Sequence, residues 1–112
     1  MMKTDKTYHK VCQIEDIPVN TGVCALIDGK QVAVYRLGEG NALYAMDNFD
    51  PFAKANVLSR GIVGCKGGVP KVASPIYKQQ FNLETGECLD DPETSIPVYE
   101  VREQEGAVFV AA

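Results

Sequence analysis

Apolar and polar residues alternate along this chain in short bursts separated by glycine-containing turns. The run at 23–27 (Val-Cys-Ala-Leu-Ile) meets Asp28-Gly29 and resumes at 31–35, where Val32 and Val34 alternate with Ala33 and Tyr35. Asp-Gly between two such runs predicts a hairpin, because a type I′ turn needs positive φ at both central residues. A turn at 38–41 leads into a run at 42–46, and residues 61–65, the turn 66–68 and residues 71–73 predict a second hairpin. Phe81-Asn82-Leu83 runs into the turn signal Thr85-Gly86, and 98–102, the turn 104–106 and 107–110 predict a last hairpin. No segment keeps apolar residues at i, i+3, i+4 and i+7 over three turns. Helix is expected only as single turns near 14–17 and 53–58. The pattern predicts an all-β fold, a small antiparallel sandwich or barrel, with residues 1–112 as a single domain. Cys24, inside its apolar run, reads as a small buried hydrophobe of a strand.

Composition leaves this picture intact and narrows the chemistry. At 112 residues, with 46% hydrophobic and 23% charged positions, the chain is long enough to bury a core and has no bias toward disorder. A net charge of −4 argues against non-specific attraction to nucleic acid or an anionic membrane. The basic start has no apolar stretch behind it, and the longest apolar run, 107–112, falls far short of the roughly 20 residues of a membrane span. A cytoplasmic protein with reduced thiols is the expectation. The cysteines at 12, 24, 65 and 88 form no C-x-x-C, and His9 is the one histidine, so a Cys₂His₂ zinc site cannot be assembled. Triad chemistry would have to rest on His9, which sits in a polar stretch and reads as a surface residue. The acidic run 89–93 lacks the register of a calcium loop and reads as a solvated turn. Gly67-Gly68 is hairpin chemistry, and no G-x-G-x-x-G is present for a dinucleotide.

Two stretches break the strand pattern: Met46-Asp47-Asn48-Phe49-Asp50-Pro51-Phe52-Ala53, continuing to Val57-Leu58-Ser59-Arg60-Gly61, and Val72-Ala73-Ser74-Pro75-Ile76-Tyr77, continuing to Phe81, Thr85 and Gly86. Each puts a proline straight after a small polar or acidic residue, which favours an extended or turn conformation there. This frame resembles the two cluster-binding loops of Rieske [2Fe–2S] domains, where C-x-H and C-x-x-H boxes supply two Cys to one iron and two His to the other. The resemblance places Asp50 and Ser74 at the Cys positions and Phe52 and Tyr77 at the His positions. Cluster ligation needs thiolates and neutral imidazoles. Phe52 has no lone pair to offer, Tyr77 would need a phenolate, and Asp50 and Ser74 are hard oxygen donors. The expectation is a Rieske-like fold without a cluster, and with no catalytic, cofactor-binding or metal-binding residue.

A narrower resemblance, from about residue 10 to 110, rests on Thr21-Gly22-Val23-Cys24-Ala25-Leu26, Asp50-Pro51-Phe52, Val57-Leu58-Ser59-Arg60-Gly61, Val72-Ala73-Ser74-Pro75 and Lys78-Gln79. These are similar to the small-subunit family of bacterial NAD(P)H-dependent nitrite reductases. The resemblance implies a large-subunit partner that carries FAD, a [4Fe–4S] cluster and sirohaem and reduces nitrite to ammonium. Pro51, Phe52, Pro75, Ile76 and Tyr77 would then lie on two adjacent loops as an apolar docking patch, flanked by Arg60 and Lys78. Equally open is that Phe52 and Tyr77 pack against each other and fill the space of a cluster. A free-standing binding module on the same scaffold and an electron-carrying Rieske ferredoxin are the alternatives in function.

Overall fold

The computed structural model describes residues 7–38 and 42–112. Its strands are β1 (Tyr8–Gln13), β2 (Thr21–Ile27), β3 (Lys30–Leu37), β4 (Ala42–Asp47), β5 (Phe49–Asp50), β6 (Ala55–Asn56), β7 (Ile62–Lys66), β8 (Val69–Ala73), β9 (Gln80–Asn82), β10 (Glu87–Cys88), β11 (Asp91–Ser95), β12 (Val98–Gln104) and β13 (Ala107–Ala111). They form a six-stranded sheet in the order β1-β13-β12-β4-β3-β2, a five-stranded sheet β11-β10-β9-β8-β7, and the small ribbon β5-β6. Every pairing is antiparallel. The outer strands β1 and β2 approach within 8 Å (Cα–Cα), so the larger sheet curls toward a barrel. No helix among the described residues is long and apolar enough to cross a membrane.

The register follows from the sequence pattern. In β3, Val32 and Val34 enter one core with Ile17, Ile27, Ala45, Val108 and Val110, inside the curl of the larger sheet. Ala33 and Tyr35, on the opposite face, join Met46, Leu58, Val72, Phe81, Leu83, Cys88 and Ile96 between the sheets. Burial on both faces explains why β3 reads as nearly continuous apolar sequence. The Asp28-Gly29 turn has φ of 51° and 80°, the left-handed pair that a type I′ hairpin needs. Gly67-Gly68 and Glu105-Gly106 also hold positive φ and close the β7–β8 and β12–β13 hairpins. The turn expected at 38–41 falls mostly outside the described residues.

Several expectations are corrected. The single helical turn near 14–17 is present as a 3-10 turn at Ile14–Asp16, but the one expected at 53–58 lies at Leu58–Arg60, because residues 55–56 pair with β5. The acidic run 89–93 turns only at 89–90 and continues as β11, an edge strand where Pro92 costs little. Cys24 is in a strand but exposed: Tyr35 and Ser59 cover β2 at Gly22 and leave the same face open at Cys24 and Leu26. The strand β1 was not expected at all.

The ribbon β5-β6 and the loop 74–79, which joins β8 to β9, leave the two sheets side by side and form the tip of the molecule. Two features hold them in register. A Cβ on Gly61 would lie 2.4 Å from the carbonyl oxygen of Ala73, so only glycine lets the start of β7 pass the base of loop 74–79. Buried Asn48 reaches five ways: its backbone N–H to the Gln31 carbonyl (3.1 Å), its carbonyl to the Leu58 N–H (3.1 Å), Oδ1 to the Ser59 N–H (2.6 Å), and Nδ2 to Gln31 Oε1 (3.0 Å) and Cys24 Sγ (3.5 Å).

Candidate functional site

The two loops of the tip are built alike. In 50–54, Asp50 precedes a proline, its Oδ1 accepts the N–H of Phe52 (2.9 Å) and Ala53 (3.3 Å), and its carbonyl accepts the N–H of Lys54 (2.7 Å). In 74–78, Ser74 precedes a proline, its Oγ accepts the N–H of Ile76 (3.3 Å), and its carbonyl accepts the N–H of Lys78 (3.1 Å). Asx and hydroxyl turns of this kind follow from short polar side chains ahead of the chain reversal. Each loop ends in a left-handed lysine, with φ of 57° at Lys54 and 68° at Lys78. Glycine would be easier there by about 1 kcal/mol. The sequence signature is acceptor-Pro-apolar-x-Lys, present at 50–54 and again at 74–78.

The loops are joined at their first residues. The Ser74 hydroxyl donates to Asp50 Oδ2, and both residues are buried, at 1% and 0% exposure. Asp50 and Ser74 thus face each other, and both carboxylate oxygens of Asp50 and the Ser74 Oγ are engaged in loop bonds. Phe52 is half-buried with its ring 6.2 Å from that of Phe81 and tilted by 41°, an arrangement that adds to simple area burial. Tyr77 stays 60% exposed and Ile76 47% exposed, while Pro51 and Pro75 are half-buried. Of the two readings left open for these side chains, mutual packing of Phe52 and Tyr77 is not what the rings show: Phe52 turns inward to Phe81, and Tyr77 turns to solvent. Phe52 fits its site because β9 brings Phe81 beneath the loops. Arg60 and Lys78 are both exposed at this end, as is Lys54, which sequence reasoning passed over.

The remaining candidates lie elsewhere. His9 is partly exposed on β1, with Nε2 3.8 Å from Asp28 Oδ2. Cys65 is exposed on β7 and Cys88 is buried between the sheets. Burial pushes the thiol of Cys88 up, away from the thiolate form. Among the described residues no three His, Cys, Asp or Glu side chains gather in a way that would hold a metal ion. Two further bonds that sequence reasoning missed stiffen the base of the tip. Tyr35 donates to the Leu58 carbonyl (2.5 Å), and Tyr99 donates to Asp47 Oδ1, one residue before Asn48. Burial first, and for Tyr99 the Asp47 carboxylate as well, raises both phenols above their usual range, so they remain donors at any physiological pH.

Comparison with known proteins adds the relatives. Residues 7–111 match the family model of the Rieske-like [2Fe-2S] domain. The chain is 43% identical over 101 residues to the nitrite reductase (NADH) small subunit of Salmonella typhimurium, covering 90% of this chain and 94% of that one. The solution structure of the Escherichia coli protein NirD superposes with a TM-score of 0.87 at 40% identity, over 95% of this chain and 96% of that one. A nitrite reductase [NAD(P)H] large subunit of Klebsiella oxytoca is 37% identical over 105 residues, which is 94% of this chain but 11% of that protein.

Proposed function

This chain belongs to the nitrite reductase small subunits of the Rieske-like family, and we propose that it serves such a reductase as a non-catalytic subunit without a cluster of its own. It docks on a cytoplasmic large subunit that carries FAD, a [4Fe–4S] cluster and sirohaem and reduces nitrite to ammonium with electrons from NADH or NADPH. The observation that carries this reading is the tip itself: the positions that match the cluster-binding boxes are bonded to one another, while Ile76 and Tyr77 stand exposed beside them. The residues present do not fit a [2Fe–2S] cluster. Asp50 and Ser74 are hard donors already committed to hydrogen bonds, Phe52 brings no donor atom, and Tyr77 is a phenol, whereas a sulfide-bridged iron pair takes thiolates and imidazoles. A docking role leans also on the Klebsiella oxytoca large subunit, in which a stretch similar to this chain is part of the large-subunit polypeptide. The same kind of domain travelling on that polypeptide is what a constitutive partner of the large subunit would do.

The test is reconstitution. The large subunit is purified alone and after co-expression with this chain, and NADH-dependent and NADPH-dependent nitrite reduction are followed in both. The expected result is a complex that survives gel filtration and turns over nitrite faster, or for longer, than the large subunit alone. A large subunit that neither retains this chain nor changes its activity would overturn the proposal and favour a binding module serving another complex.

A further inference from the structure

The cations of this acidic chain are not spread evenly. Between residues 51 and 83 stand Lys54, Arg60, Lys66, Lys71 and Lys78 and no Asp or Glu at all. From 84 to 105 the balance inverts, with Glu84, Glu87, Asp90, Asp91, Glu93, Glu100, Glu103 and Glu105 against Arg102 alone. The basic stretch contains nearly all of both tip loops and the β7–β8 hairpin between them. Its two loops each end in an exposed lysine at the same place, so Lys54 and Lys78 sit at matching positions of paired turns whose first residues are bonded together. Among the described residues neither lysine has an ion-pair partner. The one carboxylate inside the tip, Asp50, is buried and turned to Ser74 and the loop amides. Asp90 lies at the base of loop 74–79, where its Oδ2 accepts the Gln80 N–H (2.9 Å). Glu103 and Glu105 lie toward the opposite end, because β12 pairs Val98 with Met46 near the tip and runs away from it to Gln104, while Asp28, in the β2–β3 turn, lies by His9.

We propose that the tip is a two-lysine clamp for an acidic protein surface, with Ile76 and Tyr77 entering its apolar centre and Lys54 and Lys78 pairing with carboxylates on either side. The proposal rests on the reading that the tip docks on the large subunit, and it specifies the chemistry of the patch that receives it. An apolar centre with an aromatic anchor and a charged rim is the build of a protein interface. Rim charges of one sign steer encounter and raise the association rate more than they slow dissociation. A basic tip on a chain of net charge −4 favours encounters with an acidic surface that begin at the tip.

Association of the chain with its purified large subunit is to be followed at 50 and 500 mM NaCl for four forms: the natural chain, Lys54→Glu/Lys78→Glu, Ile76→Ser/Tyr77→Ser, and Glu15→Lys/Glu105→Lys at the far end. All exchanged side chains are exposed, so equal melting temperatures are required of each form; Lys54→Gln/Lys78→Gln substitutes if the reversed pair is unstable. The expected result is an association rate about tenfold lower for the lysine reversal at 50 mM, a much smaller gap at 500 mM, and no decrease for the far-end control. If Ile76→Ser/Tyr77→Ser weakens binding while the lysine reversal and salt do not alter the rate, the tip docks but the acidic partner surface is wrong. If neither double variant alters binding, the tip is not the docking face and both readings fall.

Discussion

Replacing Asp50 with Ala is expected to lower the melting temperature of the chain by about 15 °C. The side chain is fully buried and accepts from the Ser74 hydroxyl and from the N–H groups of Phe52 and Ala53. Hydrogen bonds to a charged acceptor contribute roughly 1.5–3 kcal/mol each, and their losses overlap, so about 3 kcal/mol is the expected cost. For a domain of this size each kcal/mol moves the midpoint by roughly 4–8 °C. Ser74→Ala should cost less, about 1–2 kcal/mol, because Asp50 then keeps its two amide donors. The double variant should show a coupling of about 1–2 kcal/mol, since either single change already parts the loops. Thermal unfolding by circular dichroism checks all three forms. Additive effects, or an Asp50→Ala shift below about 3 °C, would mean that the loops are held by something other than this pair.

The second large effect concerns binding rather than stability. Ile76→Ser/Tyr77→Ser is expected to raise the Kd for the large subunit about 100-fold, an expectation set by aromatic and aliphatic anchors at interface centres. The melting temperature should stay within about 3 °C of the natural chain, because both side chains are already exposed in it. Val19→Ser provides the comparison: Val19 is 42% exposed, and the neighbouring Asn20 bonds to Arg36, near the end of β3 away from the tip. It should leave affinity unchanged. Titration calorimetry separates the outcomes. Equal losses from both sites, or none from the tip, would move the interface off these loops.

The hairpins were legible in the sequence because their turns carry explicit chemistry: Asp28-Gly29, Gly67-Gly68 and Glu105-Gly106 supply positive φ between alternating runs. The strand β1 was not, since Tyr8–Gln13 mixes polar and apolar residues at a sheet edge, where incomplete burial erases the alternation. The strand β11 was hidden by its acidic residues and Pro92, which an edge tolerates. Cys24 misled because an apolar neighbourhood in sequence says nothing about where the second sheet stops. At the tip, the sequence pointed to two adjacent proline loops, but neither the Asp50–Ser74 bond nor the split between inward Phe52 and outward Tyr77 was legible in it. That split depends on Phe81 arriving from β9, a tertiary fact. Asn48 passed as an ordinary loop residue although it fastens two strands and a 3-10 turn. Lys54 had a usable signal, the second copy of acceptor-Pro-apolar-x-Lys, which becomes visible once the two loops are aligned on their prolines.

A Rieske-like frame with Asp50, Phe52, Ser74 and Tyr77 at the positions that resemble the ligand boxes is tested most directly by counting iron. The chain is to be produced together with cluster-assembly proteins, purified without oxygen, and assayed for iron, acid-labile sulfide and visible absorbance. The expected result is a colourless protein with iron and sulfide far below one per chain. About two irons and two sulfides per chain, with the visible bands of a [2Fe–2S] centre, would contradict it.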